Sequence, residues 1–145
     1  MKRITHAIFA VAFLSTTNLW RTGYVSLYAF IAILGSMVPD FDLKLEHRKL
    51  LHNIFIPLLI SIAIYYIPFP FTYPKFQCVA SLLIGWLSHI ILDLITIRGV
   101  YLIYPLIDKS FSLKLCRSDS ALWNTLISVA SLLVIASGIR SLVYP

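Results

Sequence analysis

The stretch Gly85-Trp86-Leu87-Ser88-His89-Ile90-Ile91-Leu92-Asp93-Leu94-Ile95-Thr96 decides the fold. It lies in an apolar run at 76–97. A membrane-spanning helix needs ~20 such residues. Gly85, His89, Asp93 and Thr96 follow one another at spacings of four, four and three. On a helix they make one polar stripe along an otherwise apolar surface. Polar groups inside a membrane segment face a bundle interior or a site, not lipid.

Further apolar runs lie on both sides, at 4–20, 24–38, 50–67 and 121–139. The run at 54–67 does not alternate polar and apolar residues, which excludes a membrane β-barrel. The whole chain agrees: 59% of its 145 residues are hydrophobic, 12% are charged, and the mean hydropathy is +0.87. Soluble domains are about 45–50% apolar and 25% charged. A soluble domain, a disordered tail and a coiled coil are therefore excluded. The expected fold is all-α, a polytopic membrane helix bundle of about five segments in a single integral membrane domain over 1–145. The first run is marginal in length and the second short, so these two suit a hairpin that enters the bilayer only partly. Met1-Lys2-Arg3 before an apolar run resembles a signal peptide, but no small-x-small site follows. The run is expected to stay as the first membrane helix.

The net charge is +6 and the pI about 9.5. No basic run interleaves with aromatics, so nucleic acid is not an expected partner. Placing the N-terminus in the cytoplasm puts nine of the twelve cations inside: Lys2, Arg3, Lys44, Arg48, Lys49, Arg98, Lys109, Lys114 and Arg117. Arg21, Lys75 and Arg140 fall outside. Basic residues favour cytoplasmic loops, which predicts this orientation in a plasma (inner) membrane. The loop at 98–120 is apolar at 100–107 around Pro105 and is expected to lie in the interface as a cover. Cys78 and Cys116 form no CxxC and define no disulfide framework.

Four motifs carry chemistry. His89 and Asp93, at i and i+4, can reach one ion, as the two histidines of HExxH do; a His–Asp hydrogen bond gluing two helices is the alternative. In Val38-Pro39-Asp40-Phe41-Asp42, proline ends the helix and both carboxylates can face one cation, or else solvate a turn or cap a helix. In His47-Arg48-Lys49-Leu50-Leu51-His52-Asn53, Arg48 and His52 stand at i and i+4, so Arg48 can hold a phosphate beside a metal on His52. The alternative there is an interfacial basic patch. His6, alone, is an ordinary interfacial histidine. Topology raises the metal reading. His6, Asp40, Asp42, His47, His52, His89 and Asp93 all reach the same membrane face, although they come from four segments.

The set resembles a known family. An early His6, then Gly35, Ser36, Pro39, Asp40 and Asp42, then His47, Arg48 and His52, then Gly85, Ser88, His89, Asp93, Thr96 and Gly99 look like the YdjM-like family of membrane-bound metal-dependent hydrolases, of the LexA-regulated inner-membrane type. The likeness covers about 6–105, with Tyr104-Pro105 at its end. The helix at 121–139 is less diagnostic. The family tends to read HRGxTHS, whereas this chain has Lys49, Leu51 and Asn53 at the Gly, Thr and Ser positions. The family is distantly similar to zinc-dependent phospholipase C, which implies phosphoester hydrolysis.

The expected function is a membrane-bound metal-dependent phosphoesterase acting on a lipid or lipid-linked phosphate at the cytoplasmic face. The seven ligands exceed one four-coordinate site, so two or three divalent ions, zinc by the family likeness, are expected. Arg48 would bind phosphate, and a carboxylate that does not ligate, Asp42 foremost, would take the water's proton. Two alternatives stand beside this: a divalent-cation or proton transporter, and a non-catalytic membrane protein with a structural metal. Transport needs polar groups towards the other face, where only Ser15, Thr16, Ser61 and Ser81 are available.

Overall fold

The computed structural model describes residues 1–44, 49–68 and 73–143, with the side chains at 42–44 outside that description. The described residues form five α-helices: α1 Arg3–Ser15, α2 Val25–Met37, α3 Phe55–Tyr66, α4 Lys75–Ile95 and α5 Ala121–Val143. Short 3-10 turns follow α1 at Asn18–Arg21 and α2 at Val38–Lys44. Among the described residues there is no strand, only two isolated bridges, Thr96 with Cys116 and Val100 with Phe111. The all-α expectation holds.

Among the described residues, only α4 and α5 are long and apolar enough to cross a membrane. At 1.5 Å per residue, α4 extends about 31 Å, close to the ~30 Å hydrocarbon thickness. The helices α1, α2 and α3 have 13, 13 and 12 residues, and a span needs at least ~17. The run at 50–67 becomes a shorter helix than its hydropathy suggests because Asn53 starts it late. The Asn53 Oδ1 accepts from the backbone N–H of Phe55 at 2.9 Å and Ile56 at 3.0 Å, a capping geometry. Residues 49–54 are thereby left as bends, and this segment carries His52.

α2 crosses α4 closely because each brings a glycine to the contact. A Cβ on Gly85 would lie 1.9 Å from the Ala32 carbonyl oxygen, and one on Gly35 would lie 2.3 Å from that of Leu82. α1 packs against α2, α4 and α5, while α3 packs on α4. Within α5 only Asn124 and Ser131 are buried. Its other faces expose Leu122, Leu126, Val129, Leu132 and Leu133. So large an apolar surface would be a liability in water; in a bilayer it faces lipid.

The segment after α4 folds back over the helix end. Leu113 and Leu115 donate backbone N–H bonds to the carbonyls of Leu94 and Ile95, at 2.9 and 3.0 Å. Two carbonyls of the last turn, which a helix leaves unpaired, are thereby satisfied. Gly99 makes the turn with φ +66°, and a Cβ there would lie 2.2 Å from the Phe111 carbonyl oxygen. Val100 is fully buried in a cluster with Trp86 and Ile90, against which Leu51 and Leu102 pack. The expected cover is therefore folded onto the His52 segment.

Candidate metal centre

Five of the seven expected ligands meet at one end of the bundle. His6 comes from the first turn of α1, Asp40 from the turn after α2, His52 from the bends before α3, and His89 and Asp93 from α4. Asp93 is the hub. Its Oδ1 lies 3.5 Å from His6 Nε2. Its Oδ2 lies 3.6 Å from His89 Nε2 and 3.7 Å from His52 Nε2. His89 Nε2 is also 3.9 Å from Asp40 Oδ1. The His6 and His89 rings stack with centroids 3.8 Å apart, and His52 meets His89 edge to face at 5.3 Å. The side chain of Asp42, with His47 and Arg48, lies outside the described residues.

The local sequence explains the convergence. The i, i+4 spacing puts His89 and Asp93 on one face of α4. The glycine-mediated crossing brings α2 close enough for the Ser36 carbonyl to lie 2.7 Å from His89 Nδ1. That carbonyl can only accept, so Nδ1 carries the proton and Nε2 presents a lone pair. Trp86 Nε1 donates to the Leu51 carbonyl at 2.9 Å and fixes the His52 segment to α4. Thr96 ends α4, its Oγ1 donating to the Asp93 carbonyl at 2.8 Å.

These residues fit a divalent cation. Ligand atoms of His6, His89 and Asp93 all lie within 4.8 Å of one another, and all three residues are buried. Among the described residues, His89 Nε2 is buried with no hydrogen-bond partner, although its other ring nitrogen is held. A buried polar atom without a partner is costly, and an imidazole fixed through one nitrogen is the usual arrangement of a metal-binding histidine. Borderline metals such as zinc accept this mixture of imidazole and carboxylate donors. The centre opens towards Asp40, whose side chain is 18% exposed against 1–3% for His6, His89 and Asp93.

A family model described as "YdjM inner membrane protein" matches residues 1–144. The chain belongs to this family. It is thus a membrane protein, and two of its described helices are long and apolar enough to cross a membrane. No curated protein and no solved structure matches.

Several residues of the centre escape sequence reading. Arg3 reaches the opening, its Nε 3.2 Å from Asp40 Oδ2, with a side chain 76% exposed. In the sequence it reads only as part of a basic start. The Met1 amino group lies 3.3 Å from Asp93 Oδ1. Asn124 accepts at Oδ1 from Thr5 Oγ1 at 3.0 Å and from the Lys2 N–H at 2.9 Å, tying α5 to the turn that carries His6. A lone asparagine in the apolar run of α5 was the available signal. Lys49, which replaces the family's glycine, bonds both Asp108 oxygens at 2.8 and 2.9 Å and lies 4.9 Å from the Tyr101 ring centroid. It fastens the covering loop beside His52.

Proposed function

We propose that the protein is a metal-dependent phosphoesterase of the membrane surface. The supporting observation is the buried, proton-fixed His89 whose free Nε2 points to Asp93 among two further imidazoles. His6, His52, His89, Asp93 and Asp40 would hold the ions. Asp93 directs Oδ1 towards His6 and Oδ2 towards His52 and His89, which suits two ions sharing one carboxylate. Bound divalent ions supply Lewis acidity, lowering the pKa of a water and offsetting charge at phosphorus. Zinc is the preferred metal by donor type.

The protein's own groups do the rest. Arg3, exposed at the opening, attracts a phosphate anion and orients it by its guanidinium fork. Asp40, the most accessible carboxylate of the centre, takes the proton of the attacking water when it does not ligate. Burial of the remaining donors limits the site to groups presented from the Asp40 side. The substrate is a lipid or lipid-linked phosphate, because the centre lies at one end of α4, at headgroup depth. That face is cytoplasmic by the nine-to-three distribution of basic residues.

Metal analysis of the purified protein, with a screen of lipid-phosphate hydrolysis, tests the reading. Asp93→Asn keeps size and removes charge, so at least one ion and all hydrolysis should be lost. Asp108→Asn, at an exposed position whose amide oxygen can still accept from the half-buried Lys49, should keep both. Full metal content and activity in Asp93→Asn would make the polar stripe helix-packing glue. Metal retention without hydrolysis of any phosphoester in the wild type would leave a structural ion. Transport has less support. The hydroxyls of Ser15, Thr16 and Ser81 donate to carbonyls three or four residues back, not to a polar path.

A further inference from the structure

A second polar pocket lies where the chain leaves α4 and enters α5. It encloses about 260 Å³ and is lined by Ile97, Arg98, Arg117, Ser118 and Asp119. Arg117 spends its charge on Asp119, with Nε to Oδ1 at 3.2 Å and Nη2 to Oδ2 at 3.1 Å. Arg98 is exposed and makes no ion pair among the described residues. Both cations act on the same carboxyl: Asp119 is held below its ordinary range mainly by the Arg117 hydrogen bond, and least by Arg98. The pocket therefore has two guanidinium groups, one carboxylate and a net positive charge. Such a charge balance favours an anion.

The surroundings indicate which anion. Ile97, which lines the pocket, is 51% exposed. Three residues beyond Asp119 begins a stripe on α5, Leu122, Leu126, Val129 and Leu133, at spacings of four, three and four. These share one helix face and are 66, 51, 50 and 68% exposed. Trp123, 40% exposed, stands where interfacial tryptophans anchor a helix. A charged pocket at one end of an apolar stripe matches a molecule with an anionic head and a long hydrocarbon chain. Basic pockets between membrane helices hold such headgroups.

We propose that this pocket is a binding site for one anionic phospholipid, its phosphate on Arg98 and Arg117 and an acyl chain along the α5 stripe. The site is separate from the metal centre and does not depend on its chemistry. One uncompensated basic charge at a membrane surface strengthens binding of anionic lipid about fivefold.

Native mass spectrometry of the full chain, released from detergent with dioleoyl phosphatidylglycerol or dioleoyl phosphatidylcholine, reads the site. The wild type should retain one phosphatidylglycerol about fivefold better than phosphatidylcholine. Arg98→Gln with Arg117→Gln should abolish the preference, while Arg140→Gln at the other end of α5 should keep it. Asp119→Asn should raise the preference by about another fivefold, since it frees the second arginine. This variant removes no arginine and so keeps the test open should the double variant fail to fold. Millimolar inorganic phosphate should not displace the lipid, because the chain contributes to binding. Equal retention of the two lipids, a preference that survives the double variant, an unchanged Asp119→Asn, or displacement by inorganic phosphate would each overturn the proposal.

Discussion

At the scale of residues, the centre is a set of side chains each fixed by backbone. His89 and Asp93 were readable because helical spacing places i and i+4 together whatever the tertiary fold. The Ser36 carbonyl that fixes His89 was not readable, since a backbone acceptor leaves no mark in the sequence. The departures from the family motif show the same division. At Leu51 the contact to Trp86 uses the carbonyl, so losing a threonine hydroxyl leaves that contact intact. At Asn53 the side chain matters: it caps α3 and, through Nδ2, donates to the Leu50 carbonyl at 2.5 Å. Removing such a cap costs about 1 kcal/mol. Asn53→Ala should therefore lower the unfolding midpoint in detergent and, because His52 is its neighbour, weaken metal retention. Asn53→Ser, which restores the family residue and can still cap, should recover most of both. An unchanged midpoint in the alanine variant would show that α3 does not depend on this cap.

At the scale of elements, two glycines set the distance between α2 and α4. The sequence placed Gly85 on the polar stripe of α4, and its spacing was correct. Its purpose is different: it gives the Ala32 backbone room and so brings Ser36 to His89. Hydropathy cannot report such an approach, because the partner atoms are backbone. Adding a methyl group to a packed contact costs about 1–3 kcal/mol. The Gly85 contact lies at the upper end, since a carbonyl at 1.9 Å cannot rotate away as a side chain would. Gly85→Ala should thus lower thermal stability and metal content together. Gly23 has nothing within 4 Å of its Cβ position, so Gly23→Ala should leave metal content unchanged. If Gly85→Ala lost stability but bound metal normally, the α2–α4 crossing would not be what holds His89. The start of α3 was the least readable boundary: Leu50 and Leu51 continue the apolar run, whereas the chain bends until Asn53 caps the helix.

At the scale of the whole molecule, function depends on which face the centre opens to. The five apolar runs were legible in the sequence, but among the described residues two of their helices are long enough to cross a membrane and three are short. α4 carries the argument. Lys75 begins it, and Arg98 and Lys109 follow its other end. At about 31 Å it separates these residues by a full hydrocarbon thickness. In the proposed orientation, which follows the count of basic residues, the Lys109 side faces the cytoplasm. This assignment does not require α1 and α2 to cross, because a hairpin that returns to its own face preserves the sidedness of everything after it, but it does require the chain to reach the other face through the short α3. Lys75→Cys should react with a membrane-impermeant maleimide in intact cells, and Lys109→Cys should react only in inverted vesicles. Arg140→Cys, at the far end of α5, should behave like Lys75→Cys. The unsubstituted protein serves as the blank for Cys78 and Cys116. Reaction of Lys75→Cys and Lys109→Cys from the same side would mean that α4 does not cross. His89 and Asp93 would then not lie at headgroup depth, and a lipid phosphate would lose its place as substrate.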